Sequence, residues 1–139
     1  MRQSALIEWD RIGVAMSALC MVHCLALPVI FALLPALTVY EHFTDTTHRI
    51  FGVALVAISL FAFLPGYRSH RAMIVFVLGA CGLGLVVFAA FAGERWLGEY
   101  GEIGFTVAGS ILLILAHLRN RTLCQRCAGD GPAPVVARN

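Results

Sequence analysis

Four apolar stretches, separated by short clusters of charged and turn-forming residues, set the pattern of the chain: 12–37, 50–65, 72–93 and 103–118. Crossing the hydrocarbon core of a bilayer as a helix takes ~17–25 apolar residues, and each stretch comes close to that length. The second and fourth are short, but Arg49 and Arg119 at their ends can snorkel to the interface and let the spans extend into their flanks. Period-two alternation is absent and small residues are scattered throughout, which favours helices over a barrel. The pattern predicts an all-α integral membrane four-helix bundle over 12–120, preceded by a segment 1–11 and followed by a cysteine-containing tail 121–139.

Composition agrees with a bilayer as solvent. The chain has 139 residues, 60% hydrophobic and 13% charged, with a mean hydropathy of +0.84. That leaves too little polar surface to coat a soluble globule. The formal charge of +2 gives no electrostatic basis for a nucleic-acid partner.

The arginines add an orientation. Arg2, Arg11, Arg68, Arg71, Arg119, Arg121, Arg126 and Arg138 fall on one side of the predicted bundle. The other side holds Arg49 and Arg95 with Glu41, Asp45, Glu94, Glu99 and Glu102. The positive-inside rule then puts both termini in the cytoplasm. Trp96 and Tyr100 on one side, and Trp9 and Tyr67 on the other, fit interfacial belts. The first apolar run exceeds a signal-peptide core and lacks a small-residue cleavage site, so it is expected to be a retained helix.

Within that first helix lie Cys20, His23 and Cys24. Ionisable groups at membrane depth usually mark a transport or chemical path, and thiols with an imidazole form a soft-metal ligand set. Residues four apart share a helix face with Cβ atoms ~5–6 Å apart. A relaxed disulfide needs ~3.5–4.5 Å, so the spacing suits metal bridging better than oxidation. Pro28 cannot bond the carbonyl of Cys24, nor Pro35 that of Phe31, which predicts kinks and a free carbonyl beside the thiols.

A second pair, Cys124 and Cys127, follows the last span on the predicted cytoplasmic side. In a reducing compartment such a pair reads as metal binding or transient redox chemistry, and Arg121 and Arg126 favour thiolate. His70 and His117 fall on the same side and are weaker candidates to complete a two-His, two-Cys site. His42 and His48, with Glu41 and Asp45, lie at the opposite face, where they could collect cations. Glycines 79, 82, 84, 104 and 109 provide close-packing surfaces, and Cys81 among them reads as a small packing residue.

These residues in order resemble the MerC family of mercury-resistance inner-membrane proteins, in its broader MerC-like branch. The resemblance covers roughly residues 10 to 127. It rests on Asp10-Arg11, the Cys20-Met21-Val22-His23-Cys24 motif with Pro28 and Pro35, His48, Gly66-Tyr67-Arg68-Ser69-His70-Arg71, Ala116-His117-Leu118-Arg119-Asn120, and Cys124 with Cys127. It implies a multi-pass protein of the bacterial inner membrane that takes up Hg²⁺ through a membrane thiol pair and delivers it to a cytoplasmic mercuric reductase or thiol carrier.

From the residues alone the cargo stays open among Hg²⁺, Cu⁺ and Cd²⁺, with Zn²⁺ added by the histidines. No permanent cofactor is expected. Nor is enzymatic activity, and with no nucleotide-binding motif present ATP hydrolysis within the chain is not expected. A quinone-linked membrane thiol oxidoreductase, a bis-histidine haem protein and a purely structural or lipid-binding bundle are the rival readings. Homodimerisation around a shared path remains open.

Overall fold

A computed structural model describes residues 2–34 and 41–129, apart from the side chains of 2–6, 41–45, 93–95, 97, 99, 128 and 129. Pro35 and the side chains of Glu41, His42 and Asp45 lie outside the described set, so the kink and the cation-collecting role expected of them do too. Among the described residues every regular element is helical: α1 (Arg2–Leu33), α2 (Glu41–His70) and α3 (Met73–Gly129). That follows from the solvent, because a helix satisfies its backbone polar groups internally and so tolerates hydrocarbon.

Among the described residues four segments are long and apolar enough to cross a membrane: Ile7–Leu33, Thr46–His70, Met73–Ala92 and Tyr100–Cys127. The second and fourth extend well beyond the apolar runs of the sequence, at both ends. The fourth continues through Cys124, and α3 ends only at Gly129, so the cysteine pair of the segment 121–139 rides on helix continuous with the last span. α1 runs helical through Pro28 and α2 through Pro65.

α3 contains two of the spans and folds back on itself. In a straight helix Gly82 and Gly109 would stand ~40 Å apart at 1.5 Å per residue. Instead the two backbones touch: a Cβ at Gly82 would come within 2.9 Å of the Gly109 carbonyl oxygen and of the Leu113 nitrogen. Gly98, with φ of +67°, provides a left-handed position for the reversal, which glycine adopts without steric cost. At the other end α2 passes to α3 through Arg71 and Ala72. Arg71 takes φ of +50°, and its N–H donates to the Tyr67 carbonyl at 2.8 Å. Both chain ends of the described bundle and this turn therefore share one end, the termini end; Gly98 marks the opposite, or Gly98, end.

The distribution of polarity inverts that of a water-soluble bundle. Leu19, Val22, Val29, Leu33, Ile50, Val53, Phe61, Phe76 and Phe91 point outward, as lipid-facing residues do. Asp10, Ser17, Ser59, Thr106, Ser110, His117 and Asn120 are buried, interleaved with Leu55, Ala62, Val75, Val86, Leu113 and Ala116. Cys81 departs from the reading as a packing residue, because it faces outward from the glycine-rich surface of the third span.

Candidate metal pathway

On α1 the buried residues Asp10, Gly13, Ser17, Cys20 and Cys24 recur every three or four positions, and so form one stripe down the helix. The fourth span answers with Thr106, Ser110, Leu113, His117, Asn120 and Cys124, all buried. The two run antiparallel. Asp10 meets His117 and Asn120, while Cys20 and Cys24 meet Ser110 and Thr106. α2 closes the third side with His48 near one end and Gly66 and His70 near the other. Polar side chains thus line the interior from end to end.

Cys20 and Cys24 point into this column, are almost wholly buried, and are unoxidised. Their thiols interact with each other, as the four-residue spacing on an unbroken helix requires. Toward the Gly98 end, Cys24 Sγ lies 3.3 Å from His48 Nε2, and His48 Nδ1 lies 2.7 Å from Glu102 Oε1. The carboxylate accepts from Nδ1–H, which fixes the tautomer and leaves Nε2 as an acceptor for the thiol proton. His23 stands beside this chain with its ring edge-on to His48 and Phe51, at centroid distances of 5.5 and 5.7 Å. Its Nε2 is buried without a hydrogen-bond partner.

At the termini end a second carboxylate–imidazole pair is sealed completely. His117 Nδ1 donates to Asp10 Oδ1 at 2.9 Å. Asn120 Nδ2 donates to both Asp10 oxygens, at 3.1 and 2.9 Å, and reaches the Ala62 carbonyl at 3.3 Å. His70 Nε2 donates to Asn120 Oδ1 at 2.9 Å, while its Nδ1 accepts from the Ala72 N–H at 3.0 Å. Two glycines make room for this network. A Cβ at Gly13 would collide with the His117 ring, and one at Gly66 with the Asn120 amide.

The histidines therefore differ in what they can offer a metal. Both ring nitrogens of His70 are occupied, and it works as a joint between α2 and the fourth span. His117 keeps Nε2 unpartnered. His48 sits in contact with Cys24, well inside the bundle from the surface role expected of it. Cys124 is buried and Cys127 exposed, so the second pair straddles the boundary of the bundle, with Asp10 near enough to Cys124 for its charge to act on that thiol. Among the described residues no three His, Cys, Asp or Glu side chains form a ready-made metal-holding group; His70 and His117 do not join Cys124 and Cys127 in one.

Sequence reasoning passed over Glu102, Ser17, Thr106, Ser110 and the structural partnership of Asp10 with Asn120. The signal was present. Polar residues at three- and four-residue spacing inside apolar helices mark a buried stripe, and the stripes of the first and fourth spans match in length.

Compared with known proteins, the chain matches the family model described as MerC mercury resistance protein over residues 10–122. The match begins at Asp10, includes both carboxylate–histidine pairs and the first thiol pair, and stops just short of Cys124. No curated protein and no solved structure matches.

Proposed function

Since the chain belongs to the MerC mercury resistance family and has four membrane-spanning segments, we propose that it imports Hg²⁺ across the bacterial inner membrane by thiolate ligand exchange. Cys20 and Cys24 capture the ion, and Cys124 and Cys127 release it to a cytoplasmic mercuric reductase or thiol carrier. The arginine distribution supports a cytoplasmic termini end. The observation that carries the reading is the inverted polarity of the bundle: two buried thiols face a polar interior column, while the exterior is apolar.

The geometry of capture suits a soft ion that is content with two ligands. Thiolates select soft metals, and the two thiols interact on one helix face, while no ready-made group of three His, Cys, Asp or Glu ligands stands among the described residues. That favours Hg²⁺ over Zn²⁺, which prefers four ligands. Each thiol must lose its proton on binding. His48 Nε2 is placed to receive that of Cys24, and Glu102 holds the ring in position and balances the imidazolium. Pro28 leaves the Cys24 carbonyl without its helical partner, a further oxygen beside the path. The chain holds no permanent cofactor in this reading and catalyses no reaction.

The test is Hg²⁺ accumulation in cells that express the chain or its Cys20→Ser, Cys24→Ser variant at matched levels, with Zn²⁺ and Cd²⁺ in parallel. The reading expects uptake of Hg²⁺ above that of empty cells, abolished in the variant. Equal accumulation by the two proteins removes the thiol pair from the path.

A further inference from the structure

The two thiol pairs cannot exchange an ion directly. Gly13 packs on His117, so the antiparallel α1 and fourth span are in register there. Cys20 lies seven residues along α1 on one side of that level, and Cys124 seven residues along the fourth span on the other. At 1.5 Å per residue the separation is ~21 Å. A metal bridging two thiolates spans only ~5 Å between the sulfurs, since each bond is ~2.3 Å. An ion handed from ligand to ligand needs a series of holds between them.

We propose that His117 Nε2 is the central one: a relay ligand for a soft dication, ~10 Å along the helices from each thiol pair, backed by the Asp10 carboxylate. Three observations converge on it. His117 is wholly buried, and its Nε2 has no hydrogen-bond partner, although an orphaned polar atom at such depth is disfavoured. Its Nδ1 donates to Asp10, the arrangement in which a carboxylate orients a metal-binding imidazole and raises its basicity. The hydroxyl of Ser17 is likewise buried without a partner. It lies one turn from Gly13 on the side of Cys20, an oxygen between the thiols and the imidazole.

The inference rests on the import reading and adds a stop to it. As the ion leaves the thiols, the two metal–sulfur bonds break one after the other, each replaced by a metal–oxygen bond to the Ser17 hydroxyl or to water, and these oxygens give way to His117 Nε2. Beyond His117 the metal–nitrogen bond is replaced by oxygen ligands and then by the sulfurs of Cys124 and Cys127, whose protons pass to water at the termini end. The metal keeps its +2 state throughout. Cys20 and Cys24 regain their protons once emptied.

The experiment uses the full chain in phosphatidylcholine–phosphatidylglycerol vesicles loaded with glutathione, with Hg²⁺ alone added outside. Capture is read by mass spectrometry as protection of Cys20 and Cys24 from maleimide, and entry as mercury retained inside. His117→Gln is expected to keep capture within about twofold and to slow entry at least tenfold. Unchanged entry with capture intact overturns the relay. If His117→Gln also loses capture, His117→Cys against His117→Ser decides: faster entry with the thiol than with the similarly sized hydroxyl supports a ligand, and equal entry overturns it. Cys20→Ser, Cys24→Ser is run alongside. Entry through that variant at the wild-type rate would sink the import reading itself, whatever His117 does.

Discussion

The bundle contains the same chemical unit twice, a carboxylate bonded to the Nδ1 of a histidine, and the two copies live in different surroundings. Glu102 and His48 keep side-chain exposures of 12% and 11%, and the free nitrogen of His48 is engaged by a thiol. Asp10 and His117 are at 0%, the carboxylate is clamped further by Asn120, and the free nitrogen has no hydrogen-bond partner. Burial converts one unit from a partner of the thiols into a structural lock that still holds an unused ligand. The first can exchange protons with its surroundings, whereas the second must be satisfied internally or the helices separate.

Stability should separate the two ends most sharply. Asp10→Ala leaves the His117 and Asn120 donors buried without an acceptor, a loss of ~3–5 kcal/mol by the standard of broken buried pairs. Glu102→Ala, which removes a partly exposed acceptor, should cost about 1 kcal/mol. Thermal unfolding in detergent compares them, and similar losses at the two ends would erase the distinction.

Function should separate them in the opposite sense. His48→Gln retains both thiols but removes a positioned proton acceptor, and the rate of Hg²⁺ capture should fall about a hundredfold, the lower end of what such a group contributes. Glu102→Gln leaves the imidazole in place and misorients it, for about tenfold. Stopped-flow thiol titration with Hg²⁺ measures both, and a larger loss for Glu102→Gln than for His48→Gln would reverse the assigned roles.

The glycines give a finer comparison. Gly13→Ala and Gly66→Ala drive a methyl into His117 and Asn120 and should cost ~1–3 kcal/mol. A Cβ at Gly84 meets nothing within 4 Å, so Gly84→Ala should be neutral or gain up to about 1 kcal/mol from helix propensity. Melting temperatures of the three variants check the order. Smallest of all, Cys81→Ala on the outward face should move stability by no more than about 0.5 kcal/mol and leave Hg²⁺ uptake unchanged.

Much of this was legible in the sequence, and the failures have physical causes. Span number follows from hydropathy, because the bilayer imposes a length. Cys20 and Cys24 stand out because thiols in an apolar run have no other evident use. The apolar runs stop short of the span ends because Thr46, Thr47 and His48, or Asn120 and Arg121, read as loop by hydropathy although in the bundle they are helical. His48 was placed at the surface for the same reason. Glu102 looked like one more acid of the Gly98 end until pairing across helices put it behind His48. Which nitrogen of which histidine is free is a matter of partners distant in sequence, such as Asp10 with His117, and no local pattern encodes it.

The central claim is that Cys20 and Cys24 close on one ion inside the bundle. X-ray absorption at the mercury edge tests it directly, on purified protein with Cys81, Cys124 and Cys127 replaced by serine and one equivalent of Hg²⁺ added. The account predicts two sulfur neighbours at ~2.3 Å, as for other metal–thiolate bonds. A single sulfur with oxygen or nitrogen completing the shell, or no bound mercury, would contradict it.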